Sequence, residues 1–178
     1  MDNESDKVSE EVDNKVGENV REKSSDLLDL HEHPGHLLRR AQQISVSIFH
    51  DEIGGELTPV QYALLRTLAA SPGIDQVTLA GLVAIDTSTG ASVCARLEEK
   101  GLLERKVIPT NRRQRALTIT EEGAALLKRL DPAVHRLRER LLAPLTEREQ
   151  ETFMRLLDKL VIENNEQSRA PLARPEVA

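Results

Sequence analysis

Residues 78–106 read TLAGLVAIDTSTGASVCARLEEKGLLERK, and the order of local signals in this stretch decides the fold. A short apolar-patterned segment from about Thr78 to Val83 is expected to be helical. Ile85-Asp86-Thr87-Ser88-Thr89 is turn and cap chemistry, because short oxygen-bearing side chains satisfy the free N–H groups at a helix start. A longer helix then runs to about Lys100, with Val93 and Leu97, joined by Ala91 and Cys94, facing inward. Gly101 stands where a left-handed residue closes a helix. After it the hydrophobic period changes from helical to extended. Leu102 to Val107 reads as a strand, Pro109 through Arg113 as a polar, basic turn, and Ala116 to Thr120 as a second strand, which together make a β-hairpin.

Helices extend on both sides. Upstream, Leu37, Leu38, Ala41, Ile44, Ile48 and Phe49 recur at helical spacing from about Pro34 to Ile53, and Gly54-Gly55 ends the run. Thr58-Pro59-Val60-Gln61 combines an N-cap Thr, Pro at the first helical position and Gln at the third, a capping box. Its helix carries Tyr62, Leu64, Leu65 and Leu68 and stops at Ser71-Pro72-Gly73. Downstream, Thr120 caps a long helix with stripe Leu126, Leu127, Leu130, Val134, Leu137 and Leu141, in which Pro132 is a potential kink. Thr146-Glu147-Arg148-Glu149 opens a last helix bearing Phe153, Leu156, Leu157, Leu160 and Val161. The fold class expected is therefore mainly α with a small β-hairpin wing, that is, a winged helix-turn-helix with further helices around it.

Composition bounds the rest. The chain has 178 residues, enough for one domain with tails. Aromatic residues make up 2%, fewer than a β-sandwich or β-barrel core normally uses. No stretch approaches the roughly 18 apolar residues of a membrane span, and the acidic start MDNESDKVSEEVDNK lacks the apolar region of a secretory signal. A single cysteine excludes an internal disulfide framework and fits a reducing cytoplasm. The net charge of −6 is misleading. Residues 1–33 hold 11 acidic and 4 basic side chains, whereas residues 81–120 hold 7 basic and 4 acidic ones. An acidic segment masks a locally basic one, and the local charge is what matters to a nucleic acid.

A helix is narrow enough to enter a major groove about 12 Å wide, and its N-terminus presents unpaired N–H groups to phosphate. Thr87, Ser88, Thr89 and Ser92 are small or hydroxylated and can approach base edges closely, and Arg96 shares their face. Arg112 and Arg113 occupy the hairpin turn, from which an arginine can enter a narrow minor groove. Capping alone explains Asp86 and Thr87, and an exposed arginine pair is usually a solvated loop. The conjunction of all these features in order is what points to DNA.

These residues resemble the MarR family of regulators. Leu57-Thr58-Pro59-Val60-Gln61-Tyr62-Ala63-Leu64-Leu65 is similar to the opening of the family's second helix, and Leu79-Ala80 through Arg105 to its short helix, recognition helix and first wing strand. Asn111-Arg112-Arg113 with Leu117 to Thr120 is similar to its wing, so that the resemblance spans about 35–165. It implies a homodimer, with residues 34–56 and 121–165 as a helical dimerisation region and 57–120 as the winged helix-turn-helix. Residues 1–33 are then a disordered acidic tail and 166–178 a flexible one. The two winged domains would read a pseudo-palindromic operator, and most such proteins repress transcription until a small molecule releases them. The apolar stripes of 126–141 and 153–161 fit a dimer independently, since a lone winged domain would leave them exposed. One departure stands out. The family usually has an acidic residue where this chain has Asn111, and that acid pairs with the arginine two positions on, here Arg113.

The resemblance also places an effector pocket between the dimer helices and the winged domain, with His36, Arg39, Arg40, Ser47, Gln61, Tyr62 and His135 on its walls. A guanidinium that forks onto a carboxylate beside an imidazole suits an aromatic acid or its coenzyme A thioester. Members that control breakdown of aromatic carboxylates are the most similar in these segments. Two other sensors fit less well: His31, His33 and His36 as a zinc set, and Cys94 as an oxidation switch. No metal or cofactor is expected. No nucleophile–base set, G-x-S-x-G, phosphate-binding glycine loop or H-E-x-x-H is present, so an enzyme is not expected. A helical protein-interaction adaptor would explain the amphipathic helices but not the basic wing.

Overall fold

A computed structural model describes residues 29–108 and 111–173, with side chains for all of these except 107, 108 and 111–115. The elements in order are α1 (Pro34–Ile53), α2 (Pro59–Ala70), β1 (Ile74–Asp75), α3 (Gln76–Leu82), α4 (Thr87–Glu99), β2 (Leu103–Ile108), β3 (Asn111–Ile119), α5 (Glu121–Leu142), α6 (Glu147–Glu163) and a 3-10 turn (Asn165–Gln167). The chain divides into two compact units between Ile44 and Ser45. In the first, the described part is a turn and the N-terminal half of α1, on which Leu37, Leu38 and Ile44 are exposed.

In the second unit, residues 45–178, the expected helix-turn-helix and hairpin are present. The hairpin pairs Leu103 with Ile119 through Val107 with Arg115 in one register, which slips at Ile108, paired with Asn111. A third strand is added: Ile74 and Asp75 pair with Leu117 and Ala116, giving the sheet order β1-β3-β2. Two boundaries differ markedly from expectation. α3 begins at Gln76, two residues early, because the Asp75 carboxylate accepts from Val77 N–H and Thr78 N–H at 2.9 and 3.1 Å and caps it. β3 begins at Asn111, so Arg112 and Arg113 lie in the strand rather than in the turn. α5 runs through Pro132 as one element; that residue is exposed.

The core unites parts expected to be separate. Leu64, Leu65, Leu68, Leu79, Cys94, Leu97 and Leu117 form one cluster with Phe49 and Ile53 of α1 and with Leu126, Leu127, Leu130 and Ala133 of α5. The first half of α5 is thus a wall of the winged domain. Its entry is set by Thr120, whose hydroxyl accepts from Gly123 N–H at 3.0 Å and donates to the Gly101 carbonyl at 2.7 Å. The crossing of α3 and α4 is equally close: a Cβ at Gly90 would meet the Ala80 methyl at 2.9 Å. The turn between them places Ala84 at φ +53°, a left-handed conformation that a Cβ disfavours.

The segment expected to fray from residue 166 onward is held as far as Ala173. Asn165 brackets Leu172 with both ends of its amide, at 2.8 and 3.2 Å, and Ala173 N–H donates to the Gly81 carbonyl at 2.9 Å. The Gly81 contact is long-range and those of Asn165 span seven residues; made by single groups, they leave no periodicity in the sequence. Residues 1–28 and 174–178, over which the two tails were expected to continue, lie outside the described residues.

A strut of charges joins the C-terminal end of α1 to α5. Glu52 accepts from Arg136 at 2.8 Å and from Arg140 at 2.7 Å, and Arg140 also reaches Asp51 at 3.2 Å. The Arg140 and then the Arg136 hydrogen bonds hold the Glu52 carboxyl below its ordinary 4.5. A depressed folded-state value contributes stability above that ordinary value, which is lost as pH falls through the folded one. The melting-temperature gap between wild type and Glu52→Gln is therefore expected to be full at pH 7 and to shrink steadily below about pH 4.5. Thermal melts at pH 7, 4 and 3 check it, and a gap independent of pH contradicts it.

Candidate nucleic-acid interface

Helix α4 is built as a presenting helix. One side is core: Gly90, Cys94 and Leu97 are buried. The other side carries Thr87, Ser88, Thr89, Ser92 and Arg96, all exposed. This is the face the sequence assigns to DNA, and the structure brings all five residues together on it. It opens at the helix N-terminus, where free N–H groups favour an anion.

Asp86 organises that opening. Its carboxylate accepts from Thr89 N–H at 2.9 Å, from the Ser88 hydroxyl at 2.5 Å and from the Thr89 hydroxyl at 2.5 Å. The two hydroxyl bonds, with the backbone bond behind them, hold its carboxyl far below the usual carboxylate range. The Ser92 hydroxyl donates back to the Ser88 carbonyl at 3.1 Å. The sequence marks Asp86 as a cap; it does not reveal that both flanking hydroxyls are drawn onto the same carboxylate.

At the other end of α4, Glu98 faces Arg105 of β2 at 2.9 Å, and Lys106 pairs with Glu104 at 2.5 Å. Lys100 donates to the Glu56 carbonyl at 2.8 Å. Three of the basic groups counted in the sequence are therefore engaged within the protein. Exposed Arg96 is not among these pairs, and the side chains of Arg112, Arg113 and Arg115 lie outside the described residues.

Of the expected effector residues, His36, Arg39 and Arg40 lie in the first unit and Ser47, Gln61, Tyr62 and His135 in the second. Within the first unit, Arg39 donates to Gln43 at 3.0 Å and its other terminal nitrogen lies 3.4 Å from His36 Nδ1. Desolvation first, then the charge of Arg39, lowers the His36 pKa below its ordinary 6.5. In the second unit, Gln61 is buried and spent on the capping box, its amide oxygen accepting from Thr58 N–H at 3.0 Å. Tyr62 is half-buried with its ring edge-on to Phe49, Ser47 is exposed, and His135 is exposed beside Asp131 at 3.6 Å. Clefts open in this unit. One of about 320 Å³ is lined by Glu56, Lys100, Leu102 and Arg129, and one of about 450 Å³ by Arg66, Thr67, Leu82 and Leu172. Ser47, Gln61, Tyr62 and His135 line neither.

The two other sensors lose ground. Cys94 is fully buried, and that burial pushes its thiol pKa up, away from the reactive thiolate. Among the described residues no group of three His, Cys, Asp or Glu side chains is placed to hold a metal ion, so His31, His33 and His36 do not form a ligand set. Among the described residues no single helix is long and apolar enough to cross a membrane.

A hydroxylated helix presented outward from a helix-turn-helix, beside a three-stranded wing, defines a DNA-binding regulator. The sequence model of the MarR family matches residues 57–114. Over 126 residues the chain is 35% identical to the transcriptional regulator HosA of Escherichia coli O111:H-, covering 71% of this chain and 93% of HosA. The PcaV transcriptional regulator of Streptomyces coelicolor, solved with its natural ligand, superposes with a TM-score of 0.72 at 38% identity, over 76% of this chain and 96% of PcaV. Bordetella bronchiseptica BpsR, whose DNA binding is regulated by 6-hydroxynicotinic acid, gives a TM-score of 0.72 at 31% identity, over 75% of this chain and 96% of BpsR. The chain belongs to the MarR family of transcriptional regulators.

Proposed function

We propose that the protein is a homodimeric, cytoplasmic repressor that leaves a pseudo-palindromic operator when a small aromatic carboxylate, or its coenzyme A thioester, binds. The observation that carries the dimer is α6, a helix of 17 residues with none buried. Phe153, Met154, Leu156, Leu160, Val161 and Ile162 are all exposed on it. An apolar helix face of that size marks an interaction surface. On this reading 34–56 and 121–165 make the dimer, 57–120 reads DNA through Thr87, Ser88, Thr89, Ser92 and Arg96, and Arg113, with Arg112 second, enters the minor groove.

The effector class rests on chemistry and on one relative. Arg39 beside a His36 biased towards its neutral form offers a guanidinium for a carboxylate and an imidazole face for a ring. Arg40 completes the proposed set on the first unit, and Ser47, Gln61, Tyr62 and His135 of the second unit remain candidates from the sequence. BpsR responds to 6-hydroxynicotinic acid, an aromatic carboxylate. The test is isothermal titration with a panel of hydroxylated benzoates, cinnamates and nicotinates. At least one is expected to bind, with Arg39→Ala weakening it about tenfold or more, as loss of a charged hydrogen bond does. Failure of the whole panel, coenzyme A thioesters included, rejects the effector class while leaving DNA binding intact.

A further inference from the structure

We infer that Asp86 is a positioning residue that fixes which base edges α4 reads, by turning Ser88 and Thr89 into hydrogen-bond acceptors only. The inference rests on the DNA-binding reading and deepens it. A serine or threonine hydroxyl ordinarily serves as donor or acceptor and so tolerates every base. Here its single proton is already committed. A carboxylate carries no proton, so the 2.5 Å contacts from Ser88 Oγ and Thr89 Oγ1 to the two Asp86 oxygens require both hydroxyls to donate to it. Ser92 Oγ likewise donates to the Ser88 carbonyl. What remains on these three exposed oxygens is lone pairs, all on the face that meets the groove.

An acceptor-only face is complementary to amino groups. In the major groove these are the N6 amine of adenine and the N4 amine of cytosine. It is mismatched to guanine O6 and N7 and to thymine O4, which are acceptors, and to phosphate oxygens. Donation therefore falls to Arg96 and the wing arginines. The half-site opposite the first turn of α4 is expected to present adenine or cytosine amines to Ser88 and Thr89, about two helical turns along α4 from a keto-bearing base facing Arg96.

The experiment selects bound duplexes from a randomised library with the full chain, with Ser88→Ala/Thr89→Val, and with Asp86→Asn. The double variant keeps the Asp86 cap on Thr89 N–H and shows which positions the two hydroxyls read. Asparagine keeps an N-cap oxygen but replaces one carboxylate oxygen by a donor, which frees a hydroxyl proton. Circular dichroism confirms that both variants fold. Wild type is expected to select adenine or cytosine at the hydroxyl-read positions. Replacing that base by purine or pyrimidin-2-one, which lack the amine, is expected to weaken binding about tenfold. Asp86→Asn is expected to shift the same positions towards thymine or guanine. Selection of thymine or guanine by wild type, equal binding of the amine-less duplex, or unchanged selection by Asp86→Asn each overturns the inference and leaves the regulator a DNA binder. No enriched sequence with wild type would instead overturn the DNA-binding reading itself.

Discussion

Gly123→Ala is expected to be the most destabilising glycine-to-alanine change among the described residues. A Cβ at this position would lie 2.2 Å from the Leu102 carbonyl oxygen and 2.8 Å from Ile119 Cγ1. The first obstacle is backbone and cannot rotate away. That carbonyl accepts from Thr120 N–H at 3.2 Å, so moving it breaks the bond that sets α5 on the hairpin. Moving α5 instead lifts Leu126 and Leu127 out of the core. Alanine is the better helix former by about 1 kcal/mol, which works in the opposite direction. Overpacking of a rigid site costs about 1–3 kcal/mol and sometimes more, so the clash wins. A loss of about 3 kcal/mol lowers the melting temperature of a chain of this size by roughly 6–12 °C. Gly55→Ala is the control, because nothing lies within 4 Å of a Cβ there and its backbone is not left-handed. It is expected to be neutral or slightly stabilising. Equal melting temperatures for the two variants contradict the account.

The contrast between these glycines shows what the sequence reveals and what it withholds. Gly101 is legible because its role is local: it follows a helix, and it sits at φ +70° as a helix-closing glycine should. The capping box of Thr58 and Gln61 and the cap of Asp86 on Thr89 are legible for the same reason, since all partners lie within three residues. Gly123 looks like any helix glycine, because its constraint comes from Leu102, far along the chain. Strand β1 was missed because two residues have no period, and its existence depends on pairing with Leu117 and Ala116. The strut from Glu52 to Arg136 and Arg140 was invisible because surface charges on two helices give no sign of which will meet. On the exposed face of α4, the candidate residues were legible from small size and position. Their protonic roles were not, since only geometry shows that Ser88 and Thr89 both turn to Asp86.

Leu156→Asp combined with Leu160→Asp is expected to abolish high-affinity operator binding without unfolding the protomer. The two side chains are 51% and 46% exposed in the single chain and belong to no part of the buried core. Carboxylates there stay hydrated, so the isolated protomer loses little. Across the proposed dimer interface the same carboxylates would be desolvated, a cost of several kcal/mol per ion. The dimer is therefore the only species that is penalised. On the proposed dimer, its loss would reach DNA because two winged domains on one scaffold would bind two half-sites with a shared entropic cost, an advantage of about 10²–10⁴ in affinity. Light scattering is expected to show monomers, and fluorescence anisotropy at least a hundredfold weaker operator binding, with helical content unchanged. A variant that stays dimeric moves the interface away from α6. A variant that unfolds would mean that α6 is packed within its own protomer, which the exposure of Phe153, Leu156, Leu160 and Val161 opposes.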